Sequence, residues 1–400
     1  MRELRDLLRP FDVAIEKRDS SKLELARERS HLRRNRGARQ TAEEKLADIA
    51  PNGCGHVNII EPCRSRFYNL PVSIVTSAPT RIDLAGGTID IWPLYLFHPG
   101  AQTLNAAINL RARAKIDRRP DERIVICSED TNTVVEADDW RELRNRRELR
   151  LLSLLVHFFE AHGLTLTTRC ESPAGAGIAG SSALNVAVCA ALADWTRTHY
   201  EPEALLQVAM NVEAQAINVP TGLQDYRPAL YGGIAAVELD VDGVRRVPLD
   251  VDPSELERRI VLCYTGEPRN SGTNNWEITK KHLDGDRDVF DCFERIRDIA
   301  ADMRDALARR DWHAVGEAIA AEWENRKRLA PGVTTGAIDD LIARASRAGA
   351  TAAKVCGAGG GGCLFCFGPV DRHQAIRDAL ATGGARVLDY RIERRGLLRG

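Results

Sequence analysis

A glycine-rich stretch that runs straight into an apolar helix constrains this chain most. The stretch Pro173-Ala-Gly-Ala-Gly-Ile-Ala-Gly-Ser-Ser182 is followed at once by Ala183-Leu-Asn-Val-Ala-Val-Cys-Ala-Ala-Leu192. The first turn of a helix leaves about four backbone N–H groups unpaired and carries roughly half a positive charge. Glycines let more N–H groups converge there, because no Cβ blocks a close approach. The pattern therefore predicts a phosphate-binding loop made by Pro173, Gly175, Gly177, Gly180, Ser181 and Ser182.

Two well-known phosphate loops do not fit this stretch. No Gly-Lys-Ser/Thr follows it, so it is not a Walker A loop. The spacing of Gly175, Gly177 and Gly180 matches a dinucleotide fingerprint, but that motif occupies a first βα turn, whereas this loop lies mid-domain and ends in two serines. The structural alternative is a tight turn that only closes a helix. The Ser181-Ser182 pair favours a phosphate site, since a hydroxyl beside such a loop can bind Mg²⁺.

Composition narrows the class of protein. The chain has 400 residues, of which 44% are hydrophobic, and this length predicts two domains. A formal net charge of -1 argues against a nucleic-acid binder. No apolar run reaches the roughly 18 residues of a membrane span, and the charged start is not a secretory signal. Ten cysteines, several in apolar runs, are typical of reduced thiols, which indicates a cytoplasmic protein.

Charge and periodicity divide the chain into three parts. Residues 1–71 form a charged N-terminal extension that we expect to be partly disordered or helical. An arm for a partner or for a homodimer is the alternative. Strands and helices alternate over 72–255 and again over 256–400, with strand pairs mixed among helices. This mixture predicts an α+β protein built from two sandwich-like layers.

Three ordered motifs resemble those of the GHMP kinases. The central motif is the glycine stretch above; the first is Ser77-Ala-Pro-Thr-Arg-Ile-Asp-Leu-Ala-Gly-Gly-Thr-Ile-Asp90 and the third is Lys354-Val-Cys-Gly-Ala-Gly-Gly-Gly-Gly-Cys363. Thr221-Gly-Leu-Gln-Asp-Tyr226 is similar to a segment of the branch that phosphorylates sugars at C1, which includes heptose 7-phosphate kinases and fucokinase-like enzymes. The resemblance implies a ribosomal-S5-like N-terminal domain over 72–255 and a ferredoxin-like C-terminal sandwich over 256–400.

The resemblance also implies the reaction and its cofactors, ATP and Mg²⁺. The third motif would form the opposite wall of the ATP site, with Gly359, Gly360 and Gly361. Ser182 and Glu213 would bind Mg²⁺, since Glu213 stands at the family's spacing from Asp225. Asp225 would be the base that takes the proton of the acceptor hydroxyl, and Arg81 would keep it ionised.

The substrate site is expected around the first motif. Asp90, Gln224 and Tyr231 would bind sugar hydroxyls. Arg269 and Lys327, with Arg328 beside it, are candidates for a distal phosphate on the substrate. The expected partner is thus a small sugar or sugar phosphate. Three alternatives stay open: a kinase of a simple sugar such as fucose or galactose, a kinase of a mevalonate-like alcohol, and a catalytically silent sugar sensor.

Overall fold

The computed structural model describes residues 73–268 and 271–400, except for the side chains of 271–274. The extension predicted over 1–71 lies outside these residues. The chain divides into Met1–Tyr68 and Asn69–Gly400, and only the second unit is described below. The boundary expected near residue 255 stays a prediction. In the part of the chain that the structure describes, no helix is both long and apolar enough to cross a membrane.

The first sheet is built on two long antiparallel strands. The first is buried along most of its length, the second alternates apolar and polar residues over 108–117, and the pairing runs with two register shifts from Ser73 opposite Asp117 to Ala85 opposite Leu104. The sheet has eight strands in the order β12-β1-β2-β5-β3-β4, with β6 on β2 and β7 on β6. The strands are β1 Ser73–Ala85, β2 Gln102–Arg118, β3 Ile124–Ser128, β4 Thr133–Ala137, β5 Leu164–Cys170, β6 Ile234–Asp240, β7 Gly243–Pro248 and β12 Leu398–Arg399.

Four helices accompany this sheet: α1 Arg150–Phe158, α2 Gly180–Thr196, α3 Pro202–Ile217 and α4 Tyr226–Tyr231. The helix α2, which follows the glycine loop, is apolar on nearly every face, and Val186, Val188 and Leu192 are fully buried. A helix that is apolar all round must be covered on all sides. It is held between the sheet and the other helices, so its N-terminus is fixed in a rigid core.

The second sheet has four antiparallel strands in the order β11-β8-β10-β9. They are β8 Ile260–Tyr264, β9 Ala352–Val355, β10 Cys363–Phe367 and β11 Arg386–Leu388. The helices are α5 Pro253–Glu257, α6 Ser271–Leu283, α7 Arg287–Arg309, α8 Trp312–Leu329, α9 Gly336–Arg347 and α10 His373–Thr382. Short 3₁₀ turns lie at Leu94–Phe97, Trp140–Asn145 and Val370–Arg372. Asp286, Asp311 and Thr335 cap α7, α8 and α9 through side-chain hydrogen bonds, which explains where these helices begin.

The two sheets share one continuous core. Ile82 of β1 and Leu104 of β2 belong to the same buried cluster as Leu262 of β8 and Phe365 of β10. The last residues of the chain leave the second sheet and return to the first, where β12 pairs with β1. The observed α+β architecture agrees with the sequence expectation.

Candidate active site

The glycine loop and the start of α2 form one wall of a cavity of about 460 Å³. Gly175 and Gly177 adopt positive φ values of 66° and 77°, and α2 begins at Gly180. No side chain caps this helix start, so its first N–H groups are free of such a partner. The cavity is lined by all six residues predicted for phosphate binding: Pro173, Gly175, Gly177, Gly180, Ser181 and Ser182.

The third motif packs directly against this loop. The backbone N–H of Cys363 donates to the carbonyl of Ala176 over 2.6 Å. A Cβ at Gly362 would lie 2.6 Å from that same carbonyl oxygen, so only glycine fits where the two segments touch. The chain just before this contact passes Val333 and contains Gly359, Gly360 and Gly361. The carbonyl of Val333 accepts from the N–H of Gly360 over 2.8 Å. The structure thus brings the two glycine segments together.

Asp225 and Arg81 form an ion pair in the same region. Asp225 lines the cavity, and its Oδ1 accepts from Nε of Arg81 over 2.9 Å and also from Nη2. The guanidinium is fixed further because its Nη1 donates to the carbonyl of Gly177 over 3.0 Å. Burial alone would lower the pKa of Arg81, but the charges of Asp225 and Asp83 outweigh burial and raise it. Arg81 therefore stays cationic and holds the Asp225 carboxylate at the cavity wall.

Glu213 lies on α3 with its carboxylate turned toward the serines of the glycine loop. Its Oε1 accepts from the hydroxyls of Ser181, at 2.8 Å, and Ser182, at 3.4 Å. Its Oε2 accepts from Tyr226 at 2.7 Å and Asn185 at 3.3 Å. Burial raises the pKa of Glu213, and these hydrogen bonds offset part of that rise. A buried carboxylate beside two hydroxyls is an all-oxygen donor set of the kind that Mg²⁺ prefers.

Asp90 and Gln224 meet beside the turn that precedes α4. The backbone N–H of Gln224 donates to Oδ2 of Asp90 over 2.9 Å. The other oxygen of Asp90, Oδ1, and the amide oxygen of Gln224 are buried and have no hydrogen-bond partner. Burial, and then the charge of Asp225, raise the pKa of Asp90 to about 6. Two of the predicted sugar-binding residues thus lie together, and the negative charge of Asp225 acts on one of them, Asp90.

Tyr231, Lys327 and Arg328, which were also predicted to bind substrate, make other contacts or face solvent. The Tyr231 hydroxyl donates to Glu203 over 3.0 Å, and Arg246 stacks on the Tyr231 ring. Lys327 forms a salt bridge with Glu324 at 2.7 Å. Arg328, next to Lys327, has an exposed side chain. Arg269 lies outside the described residues.

Sequence reasoning missed a buried charge cluster beneath the site. It consists of Asp83 on β1, Glu322 and Arg326 on α8, and Lys354 on β9, all at most 2% exposed. Lys354 Nζ lies 2.8 Å from Glu322 and 3.3 Å from Asp83. Charged residues inside apolar strands, as in Ile82-Asp-Leu84 and Ala353-Lys-Val355, were the available signal.

Comparison with known proteins identifies the class. A family model described as the GHMP kinases N-terminal domain matches residues 147–233, and one described as GHMP kinases C terminal matches residues 303–385. A D-glycero-alpha-D-manno-heptose 7-phosphate kinase of Campylobacter jejuni is 30% identical over 338 residues, covering 81% of this chain and 98% of the relative. The chain belongs to the GHMP kinase family, as its three motifs predicted.

Solved structures agree on the fold. A D-glycero-D-manno-heptose 1-phosphate kinase of Bacteroides thetaiotaomicron has a TM-score of 0.67 at 24% identity, covering 82% of this chain and 98% of its own. A galactokinase of Lactococcus lactis in complex with galactose has a TM-score of 0.68 at 20% identity, covering 83% and 96%. At these identities the likeness shows the fold alone, and the predicted GHMP kinase fold is confirmed. As a member of this family, the protein is an ATP-dependent sugar kinase.

Proposed function

We propose that this kinase transfers the terminal phosphoryl group of ATP to the anomeric hydroxyl of a heptose 7-phosphate. The Campylobacter relative carries that substrate in its name, and this chain covers 98% of its length. One structural observation carries the proposal: the Asp225 carboxylate, fixed by Arg81, lies in the wall of the same cavity as the glycine loop. An acceptor hydroxyl beside Asp225 would face the phosphates of a nucleotide held by the loop.

Two parts of the cavity wall would bind the two parts of ATP. The N–H groups around Gly175, Gly177 and Ser181 would bind the phosphates. Away from the loop, Leu149, Leu152, Ile217 and Val219 give the cavity an apolar lining suited to adenine.

Asp225 would act as the general base. Phosphoryl transfer depends mainly on positioning and on charge stabilisation, so a carboxylate is basic enough to accept the hydroxyl proton as the new P–O bond forms. Arg81 holds Asp225 by two donors on the same oxygen, which leaves Oδ2 of the carboxylate for the substrate proton.

Glu213 and Ser182 would hold Mg²⁺, which when bound neutralises phosphate charge and orients the transferred group. Among the residues that the structure describes, no three His, Cys, Asp or Glu side chains form a group that could hold a metal ion. One carboxylate and one hydroxyl suffice for Mg²⁺, because phosphate oxygens and waters complete its six positions.

The sugar would bind at Asp90 and Gln224, and its distal phosphate at Arg269 or Lys327. An Arg269→Ala variant tests that last assignment against Arg287→Ala, a control on the same half of the chain. We expect the first to raise KM selectively for phosphorylated sugars and the second to change nothing. Equal effects of Arg269→Ala on free and phosphorylated sugars would count against it.

The decisive experiment measures ADP release with a panel of acceptors. The panel contains heptose 7-phosphates, the free heptose, fucose, galactose and mevalonate, and ³¹P NMR locates the phosphate in the product. We expect the highest kcat/KM for a heptose 7-phosphate, with the new phosphate at C1. Preference for fucose, galactose or mevalonate would replace the proposed substrate. Sugar binding without ADP release from any acceptor would favour the silent sensor.

A further inference from the structure

Three buried polar atoms near the first motif have no hydrogen-bond partner: Oδ1 of Asp90, Oε1 of Gln224 and Nη1 of Arg326. Buried polar atoms are nearly always paired, so such a group of orphans indicates a ligand that completes them. We infer that Arg326 is a substrate-contacting residue, whose Nη1 donates to a hydroxyl of the sugar ring. The inference rests on the proposed sugar substrate and adds a residue that sets which sugar is accepted.

Nη1 of Arg326 is a hydrogen-bond donor without an acceptor in the structure. Its neighbour Nη2 is already used, because it donates to the hydroxyl of Thr88 over 3.1 Å and to the carbonyl of Gly357. The nearest carboxylate oxygens to Nη1, on Glu322 and Asp83, are 3.6 and 3.7 Å away. Those distances are beyond a hydrogen bond.

The two carboxylates do not need Nη1 either. Glu322 accepts from Nζ of Lys354 over 2.8 Å and from the N–H of Gly86 over 2.9 Å. Asp83 accepts from the N–H of Gly357 over 3.0 Å and from Lys354 over 3.3 Å. Both acids are therefore satisfied by other donors, and Nη1 is left without a hydrogen-bond partner.

Gly87 shows that Arg326 reaches the sugar-binding residues. A Cβ built on Gly87 would overlap Nη1 of Arg326 and lie 3.2 Å from Nε2 of Gln224. Gln224 in turn bonds to Asp90 through its backbone N–H. Arg326 therefore lies near the side chain of Gln224, and Gln224 lies next to Asp90. The absence of a side chain on Gly87 leaves room for the guanidinium of Arg326.

The chemistry of these atoms selects a neutral polyhydroxy ligand. Two acceptors, on Asp90 and Gln224, and one donor, on Arg326, match neighbouring hydroxyls, because each hydroxyl both donates and accepts. A phosphate group would instead face Asp90, while the charges of Asp83 and Glu322 lie under 4 Å from Nη1. Arg326 accordingly binds a ring hydroxyl, and the distal phosphate of the substrate binds elsewhere.

Gly87→Ala displaces the guanidinium and leaves every charge of the cluster in place. Gly87 does not have a positive φ, so alanine meets no backbone strain there. The three atoms nearest to its methyl group would all be side-chain atoms, of Arg326, Asp83 and Gln224. Gly336→Ala is the matched control, because a Cβ at Gly336 meets nothing within 4 Å. Arg326→Lys, which keeps the charge but loses the forked donor, is the second test if Gly87→Ala unfolds.

Steady-state kinetics with the sugar and its ring-deoxy analogues tests the inference. We expect Gly87→Ala to raise the sugar KM about tenfold, the loss of one hydrogen bond from a charged donor, with the ATP KM unchanged. For the deoxy analogue that lacks the hydroxyl bound by Arg326, variant and wild type should show the same KM. An unchanged sugar KM, or the same increase for every analogue, would overturn the role of Arg326 while leaving the kinase activity intact. A wild-type enzyme that turns over no sugar would remove the proposed function and this inference with it.

Discussion

Replacing Lys354 with methionine tests the buried charge cluster that joins the two sheets. Lys354 is fully buried and lies within 3.3 Å of both Glu322 and Asp83. Methionine fills most of the same volume but leaves two buried carboxylates whose remaining cations, Arg81 and Arg326, are 3.6 to 3.7 Å away. Removing one partner of a buried ion pair costs about 3–5 kcal/mol. We expect the free energy of unfolding to fall by that amount, a large part of the total stability of a typical domain.

The pH dependence of this loss follows from Asp83. Burial would raise the pKa of Asp83, but Lys354, Arg81 and Arg326 together lower it below its ordinary value. A carboxyl with a lowered pKa adds stability above its unfolded pKa, near 4, and loses that contribution as the pH falls through the folded value. Lys354→Met removes much of this contribution, so the gap between variant and wild type should be full at pH 7 and shrink as the pH falls below about 4.

Urea unfolding followed by tryptophan fluorescence measures both quantities. The control is Lys327→Met on α8, because Lys327 pairs with a mostly exposed Glu324. Such a pair contributes at most about 1 kcal/mol. A loss of stability in Lys354→Met no larger than that in Lys327→Met would show that the buried ion pairs are not needed for stability. A loss that stays constant from pH 7 to pH 3 would show that it does not depend on the ionisation of Asp83.

The remaining predictions concern the site. Asp225→Asn should lower kcat by about 10²–10⁴-fold and leave ATP affinity within about twofold, measured by ADP release and nucleotide titration; a kcat within tenfold of wild type would exclude Asp225 as base. Glu213→Gln should raise the Mg²⁺ concentration for half-maximal rate about tenfold, and an unchanged Mg²⁺ titration would contradict its role as ligand. Because the pKa of Asp90 is raised to about 6, the sugar KM should increase as the pH falls below that value, whereas Asp90→Asn should show a flat profile. A sloping profile in the variant would assign the titration to another group.

Local motifs made part of the site predictable. The glycine stretch at 173–182 indicated the position of the cavity wall because a glycine-rich turn before a helix lets several backbone N–H groups converge on one ligand. Asp225 and Glu213 followed from motif spacing, and the structure places both on the lining of the cavity. Their roles in catalysis and metal binding stay predictions.

The orientation of neighbouring helix residues was not predictable in the same way. Arg326 and Lys327 are adjacent in sequence, and the predicted phosphate-binding candidates were Lys327 and Arg328. Successive residues on a helix are about 100° apart, so packing decides which one faces inward. The structure turns Arg326 to the buried cluster and Lys327 to Glu324. The contacts of α8 with β1 and β9 decide which of the two residues faces inward, and those contacts cannot be read from the sequence.

The pairing of β1 with a strand at the far end of the described chain was also not recognisable from the sequence. The strand β12 has two residues and lies more than 300 positions beyond its partner Thr76 on β1. A segment this short has no periodicity to recognise. Its place is fixed by contacts such as the hydrogen bonds from Arg111 to the carbonyls of Gly396 and Ser77.

That late pairing has a consequence for biosynthesis. As the nascent chain leaves the ribosome, Thr76 and Ser77 of β1 can pair with β2 on one side, but the other edge of β1 has no strand partner until Leu398 and Arg399 have been translated. An uncovered strand edge is a template for association with other chains. This edge of β1 therefore stays open to association with other chains while more than 300 further residues are translated, and the exposure ends when β12 pairs with it.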